Sequence, residues 1–308
     1  MKKVFIILLK MITVMISAVL LVGFTINLVS KKIEKGKIES YGQYVTVDGK
    51  NMNVVIQGEG EETVVLLPGF ATASPGIDFA PLVEELAPYY KVVVIEPFGY
   101  GLSDVTKKER SVDNLVKETH EALQQLNMDS YILMGHSIFG VYGLEYVNQY
   151  ENEVRAFVGI DSSVPTQEGM DEFPATLYQV LEKTGFLRLI TNVDPDPLVP
   201  PNTDDITKEQ MQLITHQNMM NPSIINEGKN FGNNAKATEN LTFPKNLPVL
   251  FFLAEDDTQL EGWEALHAEL IKDSMHGKMI SLKGGHYLHH TKSKEMVESF
   301  RAFMKEVE

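Results

Sequence analysis

The chain has 308 residues, 44% hydrophobic and 22% charged, which is enough for one large domain with an inserted subdomain or for two domains. With 27 Lys and Arg against 42 Asp and Glu the formal charge is −15, and without residues 1–39 the balance becomes 20 against 40, or −20. So acidic a body repels nucleic acid and anionic headgroups and favours a neutral or cationic small-molecule substrate, while the absence of cysteine excludes disulfides, thiolate metal sites, a cysteine nucleophile and a lipid-modified N-terminal cysteine.

Residues 1–39 read as a separate module, an N-terminal membrane anchor and linker. Lys10 interrupts an apolar opening, and Met11 to Val29 then runs 19 residues without a charge before Lys31, Lys32, Lys35 and Lys37. That length approaches the roughly 20 residues a helix needs to cross the hydrocarbon core. The competing reading, a cleaved signal peptide, would require a shorter apolar centre and a small-residue cleavage site, which Phe24 to Ser30 does not offer. The predicted state is a retained single-pass helix with the membrane partner at residues 11–29. Lysines nearly balance on its two sides, so orientation rests on analogy with signal anchors, which puts the body on the extracytoplasmic side.

The body begins with two strand-like runs, Gly42 to Val47 and Asn51 to Gln57, around an Asp48-Gly49 turn that predicts an antiparallel hairpin. Continuous apolar strands follow at Thr63 to Leu67, Lys91 to Ile95, Tyr131 to Gly135, Ala156 to Ile160, Val249 to Ala254 and Lys278 to Leu282. Helical patterns lie between them, including one capped by Ser111 and running to about Leu126, and others at Trp263 to Ile271 and Ser293 to Lys305. Apolar strands alternating with helices predict an α/β fold, a mostly parallel, doubly wound sheet with ligand sites at the carboxyl ends of its strands. The segment Val164 to Phe243 breaks the rhythm with helices at Phe173 to Thr184 and Thr207 to Asn218, the latter opened by Thr207 and Gln210 as a capping box. A proline-rich connector, Asp194 to Pro201, joins them. The expected organisation is a core of residues 40–163 and 244–308 and a helical lid of residues 164–243, whose Met170, Met211, Met219 and Met220 are candidates to line a pocket or fill its core.

The chemistry centres on Gly135-His136-Ser137-Ile138-Phe139-Gly140, where a buried strand turns sharply into a helix. Such a turn lifts a serine hydroxyl clear of the sheet and turns the first helical N–H groups toward the same space, where they can hold an oxyanion. A serine nucleophile needs a base, and the base needs a partner that fixes its tautomer. Glu255-Asp256-Asp257 follows one strand and Gly285-His286 follows the last, so serine, acid and histidine fall in chain order at one end of the sheet.

With these residues in view, the chain resembles the alpha/beta hydrolase superfamily over roughly residues 42 to 306, specifically the lid-bearing serine hydrolases that include esterases, lipases and proline iminopeptidases. The resemblance implies Ser137 as nucleophile, His286 as base and Asp257 as acid, with Asp256 the less favoured acid. Leu67-Pro68-Gly69-Phe70 matches the oxyanion loop, which implies that the N–H groups of Phe70 and Ile138 form the oxyanion hole, and Glu96 to Ser103 matches the glycine-punctuated loop. The implied function is a membrane-anchored serine hydrolase cleaving a carboxylic ester or related acyl bond through an acyl-enzyme, with no cofactor. Pro68 and Glu96 depart tolerably from the pattern, whereas Phe139 stands where a small residue is expected and either finds room or distorts the turn. Two alternatives follow: an aminopeptidase of the proline iminopeptidase type, holding a substrate ammonium with Glu168, Asp171 or Glu172, and a non-catalytic binding protein on the same fold. His286, His289 and His290 suggest a metal only weakly, because no carboxylate partner is visible beside them.

Overall fold

The structure, a computed structural model, describes residues 1–193, 199–256 and 262–307. An eight-stranded sheet runs in the order β1 (Gln43–Val47), β2 (Lys50–Gln57), β4 (Lys91–Ile95), β3 (Thr63–Leu67), β5 (Tyr131–His136), β6 (Val154–Ile160), β7 (Val249–Ala254) and β8 (Gly277–Leu282). The first two strands form a hairpin through Asp48 (φ 50°) and Gly49 (φ 71°), both left-handed as a type I′ turn requires. β2 joins β4 antiparallel, and every later pairing is parallel.

Alternation within the central strands produces two apolar layers. Val65 and Leu67 of β3 and Tyr131 and Leu133 of β5 face one cluster with Leu115 and Leu123 of α4 (Val112–Gln125) and Val141 and Leu144 of α5 (Phe139–Gln149). Val64, Leu66, Ile132 and Met134 face the other, with Leu82 and Leu86 of α3 (Ala80–Leu86) and Phe300 and Phe303 of α12 (Ser293–Val307). Each such side chain contributes roughly 1.5–3 kcal/mol by leaving water, so a sheet covered on both faces is the stable solution for strands apolar at every position.

Between β6 and β7 lie α6 (Ala175–Lys183), α7 (Phe186–Val193), α8 (Asp205–Asn218) and α9 (Pro222–Thr238). The cap of α8 is Asp204, which accepts from Ile206 N and Thr207 N at 3.0 and 3.1 Å, so the Thr207–Gln210 capping box is not formed. Gln210 instead holds the linker, accepting from Glu39 N and donating to the Lys37 carbonyl. Residues 194–198 of the expected proline connector lie outside the described residues. α9 is stitched to the core: Ser223, Asn226 and Asn234 bond the backbone of Thr106, Arg110 and Val112. The N-terminal helix α1 (Lys2–Lys35) is a single 34-residue helix long and apolar enough to cross a membrane.

Phe139 finds room. Its ring is buried on Gly135, where an added Cβ would fall 1.9 Å from Phe139 Cδ1, and beside Gly143, where one would fall 3.0 Å from Cε1. A Gly135→Ala substitution should therefore destabilise the fold by about 2–3 kcal/mol in urea denaturation. Combined with Phe139→Ala it should cost over ~1 kcal/mol less than the sum of the single changes, because the two sites share one contact.

Candidate functional site

Ser137 lies between the end of β5 and the start of α5 with φ 55°, a left-handed backbone that a non-glycine residue adopts only when its surroundings enforce it. The surroundings are tight. Ser137 N donates to the Ile160 carbonyl (3.2 Å), and the Ser137 carbonyl accepts from Ser163 N (2.7 Å). A Cβ on Gly140 would lie 2.1 Å from the Ser163 carbonyl, so glycine lets α5 approach the end of β6. A Cβ on Gly69 would lie 2.7 Å from His136 Nδ1 and 3.0 Å from Ser137 Cβ, which places the Pro68–Phe70 loop directly against the turn.

Ser137, His286, Phe70 and Ile138 all line one cavity of about 560 Å³. His286 Nδ1 donates to Asp161 Oδ2 at 2.7 Å. The other carboxylate oxygen, Oδ1, accepts from Trp263 Nε1 (2.9 Å) and Ala254 N (3.1 Å), so three donors fix a fully buried Asp161 at the mouth of β6. Asp257 lies outside the described residues. Asp161 is not among the acids expected from the sequence, although it carries the same signal, an acid immediately after an apolar strand.

A layer of histidines supports the His286 loop. His136 Nε2 donates to the His286 carbonyl (3.1 Å). Behind it, His289 and His290 donate to the two oxygens of Asp78 at 2.9 and 2.8 Å, so a carboxylate invisible in the local sequence does accompany them. These three residues are the group among the described residues whose donor atoms could hold a cation, and their mutual hydrogen bonds already account for the arrangement. His286 is turned away from them to Asp161. Burial, with the neighbouring imidazoles, pushes His136 well below the ordinary histidine value, and burial also lowers His289. Burial alone would raise Asp78, yet its two histidine partners hold it well below the carboxylate range.

Two buried glutamates shape the loops around the cavity. Glu96 accepts from Tyr41 Oη (2.6 Å), Asn53 Nδ2 (3.0 Å), Gly76 N (3.1 Å) and Leu102 N (2.7 Å), and it fits because Gly101 leaves the space a Cβ would take 1.8 Å from Oε2. Glu227 of α9 accepts from Tyr100 Oη (2.9 Å) and Tyr142 Oη (3.1 Å), and Tyr100 Oη in turn accepts from Ala71 N (3.2 Å). α9 thus reaches the Phe70 loop through one tyrosine. Of the methionines between β6 and β7, Met170 lines the Ser137 cavity, whereas Met211 is buried within the helical layer. Glu168 also lines the cavity, while Asp171 packs against Gly232 of α9.

Comparison with known proteins agrees with this architecture. The profile of the alpha/beta hydrolase fold family matches residues 62–292. An uncharacterized protein of Bacillus subtilis (strain 168), YbdG, is 30% identical over 233 residues, covering 73% of this chain and 72% of its own. A thermophilic esterase from Thermogutta terrifontis superposes with a TM-score of 0.67 at 15% identity, over 86% of this chain and 99% of the esterase. A membrane phospholipase A described as a bacterial virulence factor superposes with a TM-score of 0.61 at 16% identity, over 100% of this chain and 99% of its own.

Depressed histidines set the sign of the pH dependence. Both His136 and His289 have folded values below the 6.5 of the free side chain, so their contribution is intact above about 6.5 and is lost as pH falls below it, because the unfolded chain then binds the additional protons. The thermal midpoint should drop between pH 7.5 and 5.0, and His136→Asn should make that drop shallower.

Proposed function

This chain belongs to the alpha/beta hydrolase fold family, and we propose that it is a membrane-anchored serine hydrolase acting on a carboxylic ester or related acyl bond. The observation that carries the reading is the pairing of His286 with a buried, fully hydrogen-bonded Asp161 at the rim of the cavity that also receives the left-handed Ser137. In this reading Ser137 Oγ attacks the acyl carbonyl and His286 Nε2 takes its proton, while Asp161 holds Nδ1–H and stabilises the imidazolium. The N–H groups of Phe70 and Ile138 donate to the carbonyl oxygen as negative charge develops on it; the neighbouring Ala71 and Thr72 N–H groups are committed to Tyr100 Oη and the Gly69 carbonyl. His286 then returns the proton to the departing alcohol, and water releases the acyl group by the same steps in reverse order.

Asp257, expected from the position after β7, is the competing acid for His286. Retention of α1 as an anchor is supported by the fit of its second half to the lid. Asn27 Nδ2 donates to the Glu182 carbonyl (2.8 Å), Lys31 pairs with Glu182 (2.6 Å), and Arg188 bridges Asn27 Oδ1 (3.0 Å) and Glu34 (2.6 Å). A segment destined for removal would have no use for such matched contacts. The whole-chain superposition on a membrane phospholipase A, N-terminal helix included, agrees with a site of action at a membrane.

The test is hydrolysis of p-nitrophenyl esters by the full chain in detergent. Ser137→Ala should lower kcat by at least about 10³-fold, and Asp161→Asn by about 10³–10⁴-fold with KM little changed, whereas Asp257→Asn should cost under about tenfold. A large loss in Asp257→Asn with Asp161→Asn near wild type would transfer the role to Asp257. Since Glu168 lines the cavity and could hold an ammonium, faster turnover of aminoacyl anilides than of esters would favour the aminopeptidase, and no turnover of either would favour a binding protein.

A further inference from the structure

We propose that the outer face of α6 and α7 is a membrane-docking surface, seating the lid in the acyl–headgroup boundary of the bilayer that α1 crosses. Six large apolar side chains on these two short helices face solvent: Leu177, Val180, Phe186, Leu189, Ile190 and Val193 are 55, 52, 43, 58, 57 and 85% exposed. Their spacing is helical, with 186, 189, 190 and 193 recurring on one face of α7 while Leu187 and Arg188 turn inward. An apolar stripe of this kind on a soluble surface is costly and marks an interaction site.

What covers it is indicated by its continuity with the anchor. The turn joining α6 to α7 rests on Gly23 of α1: a Cβ there would lie 2.4 Å from the Thr184 carbonyl oxygen, and a Cβ on Gly185 would lie 3.1 Å from the Gly23 carbonyl oxygen. Gly23 is inside the uncharged run, eight residues before Lys31, or about 12 Å along the helix. The 19 uncharged residues from Met11 to Val29 extend about 28 Å, so nearly all of them are needed to match a hydrocarbon core of about 30 Å. The lid turn therefore cannot stand clear of the membrane. It meets α1 at the depth, about 5–10 Å into the boundary, at which interfacial helices bury their apolar faces.

The attachment is polar as well as close. Arg188, buried behind the apolar face of α7, bonds Asn27, Glu34 and His216 Nδ1 (2.9 Å), so α7, α8 and α1 share one polar knot. α6 connects the same surface to the reacting site, since Tyr178 stacks on Phe173 (5.3 Å, 14°) and Phe173 meets Phe70 edge-on (5.4 Å). The body carries −20 without its first 39 residues, so attraction to anionic headgroups does not hold it down and apolar contact has to.

This inference rests on the reading of α1 as an anchor, and the experiment separates the two. The absence of cysteine allows single reporters: Leu177→Cys, Ile190→Cys, Val14→Cys in the anchor and Glu298→Cys on the exposed side of α12, each carrying a fluorophore, in the full chain in phosphatidylcholine–phosphatidylglycerol vesicles with brominated acyl chains. Each variant should match the parent in circular dichroism and thermal midpoint, as expected for exposed positions. Labels at 177, 190 and 14 should be quenched by the brominated lipid at least threefold more than the label at 298. Quenching at 14 alone, with 177 and 190 equal to 298, overturns the docking surface and leaves the anchor standing; no quenching at 14 overturns both. Disulfide formation between copies of unlabelled Ile190→Cys under mild oxidant, with no lipid quenching of the labelled protein, would mean that a second copy covers the face and would also overturn the proposal.

Discussion

The left-handed backbone at Ser137 is the constraint around which the sheet, the first helical turn of α5 and the facing loop are built. Such a conformation costs on the order of 1–3 kcal/mol and persists only where the neighbours over-determine it. Here Gly135 admits the Phe139 ring, Gly140 admits the Ser163 carbonyl, and Gly69 admits the His136 ring. Each glycine removes a side chain at a place where two elements must touch. The strain is offset by the burial of β3 and β5 on both faces, at whose ends the turn and its facing loop sit.

Around that turn the polar groups form connected sets instead of isolated bonds. Asp161 receives three donors, Glu96 four and Asp78 two. Buried carboxylates in a low dielectric are costly unless so satisfied. The result is a cavity wall in which the His286 loop is held from both sides, by Asp161 at its imidazole and by His136 at its carbonyl. The Glu227–Tyr100–Ala71 chain extends the same logic from α9 to the Phe70 loop.

Much of this was readable in the residue order. Strands with continuous apolar runs, such as Val64–Leu67 and Val92–Ile95, are buried on both faces and announce themselves by composition alone. The hairpin followed from Asp48-Gly49, and the turn at Ser137 from two glycines around an apolar strand end. What escaped was determined by distance in the chain. Asp161 follows an apolar strand end just as the acids after β7 do, but its histidine partner lies 125 residues away, and Asp78, whose partner lies 211 residues away, has nothing local to distinguish it from a surface acid. α9 escapes because the face it turns to the core is largely polar, with Ser223, Asn226 and Asn234 bonding core loops, which blurs the apolar period that identifies a helix. Gln210 resembles a cap residue in the sequence, but its partners are Lys37 and Glu39 just after α1.

The most direct measurement is a crystal structure of the chain reacted with a p-nitrophenyl alkylphosphonate, whose phosphorus mimics the tetrahedral carbon of ester attack. The account predicts phosphorus bonded to Ser137 Oγ, a phosphonate oxygen accepting from the N–H groups of Phe70 and Ile138, and His286 Nδ1 still on Asp161. An adduct on another residue, or one on Ser137 with its oxygen directed away from Phe70 and Ile138 and His286 withdrawn from Asp161, would contradict it.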